Sequence, residues 1–408
     1  MASTYLSRTL GTPTNAYKGT LSWWQKGMNT SSSQYILACE SGSERQLWYG
    51  TSGKFQGGLR GTSSPPDIDF SLSGTPRFRD TLAWYHCVLA WDTTLSTASD
   101  RYKYYVNGVE FTISGSGSGS TIPQNHVMPM NKSGLPFRIG SQVSGGSYFE
   151  GVMSHIHFCD GTQYQASDFG ETDSTTGEWK IKTSPSVSYG NNGFWWLKDT
   201  NAATDSSPNS NTPTIGGTLT KTEDNPSNVF CTYNPLQQTN GSAGFENGNT
   251  YFTNGTQWLG VNGTIAATSG KYYAEFKWIS DSNTRYAYVG IYDEDDYAAK
   301  ATGYPYVGDM ANGHAYYSEN GNYYTNGGST SFGNTFSNGS IIGVAMDLDN
   351  SKIYFSKDGA WQGSGNPTNG TGGKALTADK TYTFGLQLYA VGSIVYSANF
   401  GNGYFGTT

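Results

Sequence analysis

The segment Ile341-Ile-Gly-Val-Ala-Met-Asp-Leu-Asp-Asn-Ser-Lys-Ile-Tyr-Phe-Ser356 decides the fold class. Residues 341–347 and 352–356 are apolar runs with β-branched or aromatic side chains, which are typical of strands. The polar residues between them, Leu348-Asp-Asn-Ser351, favour a turn. The segment therefore predicts two antiparallel strands that face each other across a short turn.

The same signature recurs through the chain, and no segment sustains a helical apolar period over more than two turns. In 271–278, Tyr272, Ala274, Phe276 and Trp278 alternate with residues of the opposite face. Asn107-Gly108 between two strand-like runs is a strong hairpin signal. Further strands are predicted at 20–26, 84–91, 102–106, 110–113, 151–158, 288–292, 383–388 and 395–400. The prediction is an all-β protein with two different antiparallel, jelly-roll-like β-sandwiches.

Composition changes between the two halves. Residues 183–239 are rich in Ser, Thr, Asn and Pro, and the stretch 201–213 within them cannot bury enough apolar area to fold alone. We therefore predict a sandwich at 1–182, an irregular connector at 183–239 and a second sandwich at 240–408. The aromatic run Gly193-Phe-Trp-Trp-Leu197 is expected to dock onto a neighbouring sandwich.

Charge and composition exclude several classes of protein. The 408 residues carry 24 Lys plus Arg and 31 Asp plus Glu, a net charge of −7, which argues against nucleic-acid binding. The 11 Trp, 30 Tyr and 19 Phe can bury a large core, so disorder is not expected. No apolar run is long enough to insert into a membrane, and the N-terminus lacks the apolar region of a signal peptide. Four widely spaced cysteines are expected to be free thiols, made in a reducing cytoplasm: Cys39, Cys87, Cys159 and Cys231.

Both halves resemble known families. The second half, about 240–408, resembles SPRY domains in the motifs 270–276, 289–292, 341–361, 363–367 and 398–401, together with Phe405. The first half, about 1–182, resembles laminin-G or concanavalin-A-like sandwiches in 21–24, 84–92, 105–110, 138–140 and 149–161.

The combination resembles bacteriophage-encoded structural or host-attachment proteins. The segments that carry this resemblance are 5–8, 166–171, 177–179, 189–194 and 224–235. It implies a virion location, with other virion proteins as partners and a homo-oligomeric assembly. The expected role is a non-enzymatic fibre, tail or capsid decoration subunit that contacts a host-surface glycan or protein.

Chemical motifs give little support to catalysis or to a cofactor. Retaining glycosidases of this fold need two carboxylates on one strand face, and neither a Glu-x-Asp-x-x-Glu nor a Glu-x-Asp-x-Glu pattern is found. We expect Asp293-Glu-Asp-Asp296 to be a solvated turn, and Gly115-Ser-Gly-Ser-Gly119 to be a flexible hairpin extension. His155 with His157, and Asp347 with Asp349, have too few neighbours to ligate a metal. We therefore predict no enzyme, no metal and no cofactor. The alternatives are a glycan-cleaving enzyme and a free-standing lectin-like module.

One stretch is typical of a recognition surface. Residues 304–326 combine tyrosines with asparagines and glycines, a composition that gives large contact area at low entropy cost. The alternative is that these tyrosines are ordinary residues of a hairpin through Asn320-Gly321. The candidate binding residues are Tyr304, Tyr306, Asn312, Tyr317, Asn320 and Tyr324.

Overall fold

The computed structural model contains little besides strands, which make up 49% of the chain against 5% helix. It describes residues 3–27, 33–41, 44–51, 54–60, 68–72, 78, 80, 82–111, 113–117, 121–198, 203–239, 244–282, 285–299 and 306–401. Backbone contacts group the chain into two compact units, residues 1–229 and 230–408. The predicted all-β class is confirmed.

The first unit contains two large antiparallel sheets and a small two-stranded one. Its strands are β1 Tyr5–Thr9, β2 Lys18–Lys26, β3 Gln34–Ser41, β4 Glu44–Thr51, β5 Lys54–Arg60, β6 Ile68–Leu72, β7 Tyr85–Asp92, β8 Tyr102–Val106, β9 Val109–Phe111, β10 Ile113–Gly117, β11 Pro136–Ile139, β12 Val152–Asp160, β13 Gly170–Thr172, β14 Trp179–Ile181, β15 Phe194–Trp196 and β16 Thr214–Gly216. One sheet has the order β10-β6-β5-β4-β3-β11-β1-β16, and the other β15-β12-β2-β7-β8-β9. Short 3-10 turns lie at Ala98–Asp100, Pro129–Asn131 and Ala166–Asp168.

Alternation along the strands builds the core of this unit. In β2, Leu21 and Trp23 are buried in the main core, and Leu89 and Trp91 of β7 join them there. The hairpin between β8 and β9 turns at Asn107 and Gly108, which have φ values of 46° and 81°. These positive values are the conformation that the Asn-Gly pair was expected to adopt.

Most of the predicted connector packs within the first unit. Phe194–Trp196 forms β15, which extends the second sheet beside β12, and Thr214–Gly216 forms β16 beside β1. The aromatic run was predicted to dock onto a sandwich, and it does so as a strand of the second sheet. Further along, Asp224 accepts a hydrogen bond from Lys26 at 2.7 Å, and both side chains are buried. Residues 230–239 belong to the second unit. The structure therefore divides the chain near residue 230, whereas the sequence predicts boundaries at 182 and 240.

The second unit is built from one folded sheet. Its elements are β17 Tyr233–Thr239, β18 Gly244–Glu246, β19 Tyr251–Ala267, β20 Lys271–Asp281, β21 Arg285–Asp293, α1 Glu294–Ala299, β22 His314–Tyr317, β23 Asn322–Thr325, β24 Gly328–Ser331, β25 Ile341–Asp347, β26 Lys352–Lys357, β27 Ala360–Trp361, β28 Lys374–Ala375 and β29 Tyr382–Asn399. A 3-10 turn covers Val307–Asp309. The sheet has the order β24-β23-β22-β21-β29-β20-β25-β26-β27, and β19 also pairs with β29.

The long strand β29 joins the two layers of this unit. Its first part, 382–390, pairs with β21, and its last part, 394–399, pairs with β20. The sequence predicts two separate strands here, at 383–388 and 395–400, whereas the structure has one strand of 18 residues. The core between the layers contains the predicted inward residues Ala274, Phe276 and Trp278.

Two further expectations are corrected. Residues 115–117 are not a flexible extension, because they lie in β10 and pair with residues 68–70 of β6, which satisfies their backbone hydrogen-bonding groups. Gly119 lies outside the described residues.

Asp293 is not in a solvated turn either. It is fully buried, and its Oδ2 atom lies 2.8 Å from Nζ of Lys380. The acidic residues 294–296 form the first turn of α1, where negative charge is favourable.

Candidate functional site

The tyrosine-rich hairpin splits its aromatic rings between two faces. β22 and β23 pair with Tyr316 opposite Tyr323, and both rings belong to the core. Tyr317 and Tyr324 point to the other face because side chains alternate along a strand. Tyr316 and Tyr323 therefore fill the core, as the hairpin interpretation expects, whereas Tyr317 and Tyr324 lie on the opposite face, where binding stays a prediction.

The outward rings assemble around Tyr288 of β21. The Tyr288 ring stacks on Tyr317 at a centroid distance of 4.2 Å and on Tyr306 at 4.6 Å. Tyr324 meets the edges of all three rings, at 5.3 Å from Tyr288, 5.4 Å from Tyr317 and 5.9 Å from Tyr306. Offset and edge-to-face pairs at such distances are the favourable aromatic geometries.

Three further rings continue the layer across neighbouring strands. Tyr286 of β21 is in register with Tyr389 of β29, which is in register with Trp258 of β19. Their ring centroids lie 5.7 Å and 5.1 Å apart. The seven rings form one aromatic layer on the face away from the core. We call it the tyrosine surface, and its members are Trp258, Tyr286, Tyr288, Tyr306, Tyr317, Tyr324 and Tyr389.

The tyrosine surface has a buried centre and a more accessible periphery. Tyr288 and Tyr317 are buried, whereas the other five rings are partly exposed. Burial raises the pKa of Tyr288, Tyr306 and Tyr317 above the usual range, with smaller contributions from carboxylates that include Asp309 beside Tyr306. All three phenols are therefore protonated at neutral pH and offer hydrogen-bonding hydroxyl groups. The neighbouring carboxylates make the rim of the surface unfavourable for anions.

The predicted site residues have different positions. Tyr306, Tyr317 and Tyr324 lie in the tyrosine surface. Asn320 is exposed, and its side-chain amide donates to the Tyr324 hydroxyl at 3.2 Å. Asn312 has a structural contact instead, because its side-chain and backbone amides both donate to Asp296 Oδ2. Tyr304 lies outside the described residues.

Four members of the surface were not predicted from the sequence. Trp258, Tyr286, Tyr288 and Tyr389 lie on three strands that are far apart along the chain. Tyr286 and Tyr288 carried a local signal, since they alternate with Ala287 and Val289, which are buried in the core. This alternation predicts that the two tyrosines share one face of the strand. It does not predict which strands lie beside that strand.

A second polar cluster lies on the outer face of the second sheet of the first unit. His86 Nε2 and Ser22 Oγ are 2.8 Å apart, as in a nucleophilic pair. However, the Trp179 indole donates to His86 Nδ1 at 3.0 Å, and an indole nitrogen is only a donor. His86 Nε2 therefore carries the proton and donates it to Ser22, so the imidazole cannot act as the base for this hydroxyl. Burial lowers the pKa of His86 to about 3, which keeps the ring neutral.

The histidines of β12 do not form a metal site with their neighbours. His155 has a φ of 48° at a bulge, and His157 bonds to the Tyr189 hydroxyl at 2.9 Å. Within the described parts of the chain, no three His, Cys, Asp or Glu side chains are placed to hold a metal ion.

The four cysteines carry thiols and form no disulfide, as predicted. None of the helices in the described ranges has the length and apolar character needed to cross a membrane.

Several solved structures are similar to part of this chain. Similar solved structures include the SPRY domain of human HERC1, with 18% identity, 41% of this chain and 96% of that chain covered, and a TM-score of 0.32. A heptameric SAP-like pentraxin from Limulus polyphemus has 18% identity, coverages of 40% and 72%, and a TM-score of 0.29. Stonustoxin has 16% identity, coverages of 42% and 27%, and a TM-score of 0.31. No curated protein sequence matches the chain.

A family match covers the first part of the chain. Residues 3–167 match the laminin-G type of the concanavalin A-like lectin/glucanases superfamily. This range contains the motifs on which the resemblance of the first half rests. Together with the antiparallel sheets described above, the match indicates a concanavalin A-like sandwich fold for this part of the chain.

Proposed function

We propose that this chain is a non-enzymatic glycan-binding protein and that the tyrosine surface is its binding face. The observation that carries the proposal is the continuous layer of seven aromatic rings, five of them partly exposed, outside the core of the second unit. Partly exposed aromatic rings offer both an apolar face and a polar hydroxyl tip. Sugar rings have the complementary character, with C–H faces and hydroxyl edges.

The charge near the surface favours a neutral glycan. Glu319 accepts a hydrogen bond from the Tyr317 hydroxyl at 2.9 Å, and Asp309 lies close enough to Tyr306 to raise its pKa. An acidic polymer would meet these carboxylates together with the net charge of −7. A flat protein partner is the alternative occupant, because tyrosine and tryptophan are also enriched at protein interfaces.

The test compares two single substitutions with a matched control. Tyr324→Ala and Tyr306→Ala each remove one partly exposed ring, and Tyr17→Ala removes an exposed ring of the first unit. Binding to an array of neutral and acidic oligosaccharides is measured for the full chain, with folding checked by thermal melting. We expect the first two variants to lose about 1–2 kcal/mol of binding free energy, a 5- to 30-fold weaker Kd, and the control to bind normally. Unchanged binding by both folded variants would refute this role.

The proposal that the chain is not an enzyme rests on how its buried carboxylates are used. Asp160 accepts hydrogen bonds from the backbone of Thr14 and Asn192 and from the Asn131 amide. Asp293 pairs with Lys380, and Asp224 with Lys26. The donors that hold these three carboxylates belong to the protein itself, so each carboxylate has a structural role within the fold. Incubation with host capsule or wall polysaccharide should release no reducing ends, and specific turnover would overturn the proposal.

We further propose that the protein acts on the surface of a bacteriophage particle, as a fibre, tail or capsid decoration subunit. The support is the sequence resemblance to phage structural and attachment proteins. Such a subunit would be held by other virion proteins or by self-association, with the second unit presenting the glycan contact. Mass spectrometry of purified particles and sedimentation of the isolated protein provide the test. A monomer that is absent from particles would instead favour a free-standing lectin-like module.

A further inference from the structure

A cleft of about 190 Å³ opens on the second unit, on the layer opposite the tyrosine surface. The register places Tyr273 of β20, Ala345 of β25 and Tyr354 of β26 side by side on the face away from the core. Lys271 and Asp347 line the same cleft two register pairs away, and Pro367 lies at its wall. The volume suits a single small ring and not an extended chain.

Tyr354 is the buried tyrosine among the residues that line this cleft. The residue is 1% exposed, and its hydroxyl has no hydrogen-bond partner in the described part of the chain. Gly373 lies directly against the ring, so that any side chain there would overlap the phenol. Buried polar groups are normally hydrogen-bonded, and an exception requires a reason. Tyr354 lines the same cleft as Asp347 and Lys271.

The polar groups around the cleft define the chemistry of a ligand. Nζ of Lys271 lies 3.1 Å from Oδ2 of Asp347, and the lysine side chain is 63% exposed whereas the aspartate is 9% exposed. The ammonium group only donates, the carboxylate only accepts, and the Tyr354 hydroxyl does both. A free anion would be repelled by Asp347 and a free cation by Lys271. Neutral hydroxyl groups can donate to one partner and accept from the other.

The walls of the cleft complete this pattern. Tyr273 is 48% exposed, and its hydroxyl donates to Glu275 at 2.9 Å, which leaves the ring face as apolar contact area. The Trp361 ring lies edge-on to both Tyr273 and Tyr354, at 6.3 Å and 6.4 Å. We propose that this Tyr354 cleft binds one ring of a neutral sugar, as a second site on the opposite layer of the sandwich. The choice of a glycan as the ligand rests on the proposed function. The site itself does not, because the Tyr354 cleft and the tyrosine surface are formed by different residues.

The experiment follows Tyr354 directly in the full-length chain. The protein is labelled with 3-fluorotyrosine, and the fluorine signal of Tyr354 is identified as the one missing from Tyr354→Phe. Methyl glycosides of glucose, galactose, mannose and N-acetylglucosamine are titrated, with methyl glucuronide as the acidic probe. Tyr396→Phe is the matched control, because that hydroxyl is also buried without a partner but belongs to the core.

We expect at least one neutral glycoside to shift the Tyr354 signal, and the same shift in the Tyr324→Ala variant of the tyrosine surface. Saturation-transfer measurements with Tyr354→Phe should give about fivefold weaker binding, which corresponds to one hydrogen bond of about 1 kcal/mol. Tyr396→Phe should bind normally, and both Phe variants should melt at the wild-type temperature.

Four results would overturn the inference. The first is a Tyr354 signal that no neutral glycoside shifts, and the second is a larger shift with the glucuronide. The third is a shift that disappears in Tyr324→Ala, because it would then report on the tyrosine surface. The fourth is a marked loss of melting temperature in Tyr354→Phe, which would give the hydroxyl a structural role. Loss of oligosaccharide binding at the tyrosine surface alone would leave the Tyr354 shift intact, so the two proposals fail independently.

Discussion

The buried pair of Lys26 and Asp224 gives the sharpest test of how the polar segment after residue 182 is held. Nζ of Lys26 lies 2.7 Å from Oδ2 of Asp224, and the two side chains are 1% and 3% exposed. Asp224→Asn keeps the shape but leaves the lysine charge buried without its counter-ion. Breaking such a pair costs about 3–5 kcal/mol, far more than an exposed pair is worth.

The expected effect can be measured by thermal melting of the full chain. For a unit of this size, 1 kcal/mol corresponds to about 2–4 °C, so the transition of the first unit should fall by roughly 10 °C. Glu110→Gln is the matched control, because its pair with Lys103 is half exposed and should contribute less than about 1 kcal/mol.

The double variant Lys26→Met with Asp224→Leu separates charge burial from packing. Replacing both charges by apolar groups should recover much of the loss, since no unpaired charge remains. Limited proteolysis should detect faster cleavage after residue 182 in Asp224→Asn. If Asp224→Asn melts at the same temperature as the control Glu110→Gln, the idea that this ion pair holds the segment is refuted.

Two other predictions concern pH and the support of the tyrosine surface. Burial lowers the pKa of His86 to about 3 and that of His314 to about 4, from a usual value of 6.5. As the pH falls below 6.5, the unfolded chain protonates these histidines while the folded chain keeps them neutral. Each unit should therefore be most stable above pH 6.5 and should lose stability as the pH falls from 6.5 to about 3 for His86 or about 4 for His314. Urea midpoints at several pH values check this, and an unaltered slope in His86→Gln would contradict it. Gly290→Ala should weaken glycan binding and lower the melting temperature of the second unit, because its Cβ would overlap the backbone of His314 and push β21 from β22. Normal binding by this variant would show that the spacing of Tyr288 and Tyr317 is unimportant.

The sequence by itself determined the features that depend on neighbouring residues. Alternation in 271–278 and 341–356 identified the strands and their buried faces, because side chains of a strand point to opposite sides in turn. The Asn107-Gly108 turn followed from the positive φ that these residues tolerate. The absence of helical periodicity gave the all-β class.

Only the tertiary structure decided the features that join distant residues. Lys26 and Asp224 are 198 positions apart, and no local pattern predicts that a polar segment carries the partner of a buried lysine. The tyrosine surface likewise joins β19, β21, β22, β23 and β29, whose order in the sheet differs from their order in the chain. The proton on His86 depends on Trp179, 93 residues away. Each of these contacts depends on which strands pair, and pairing follows from burial of the whole core rather than from any one segment.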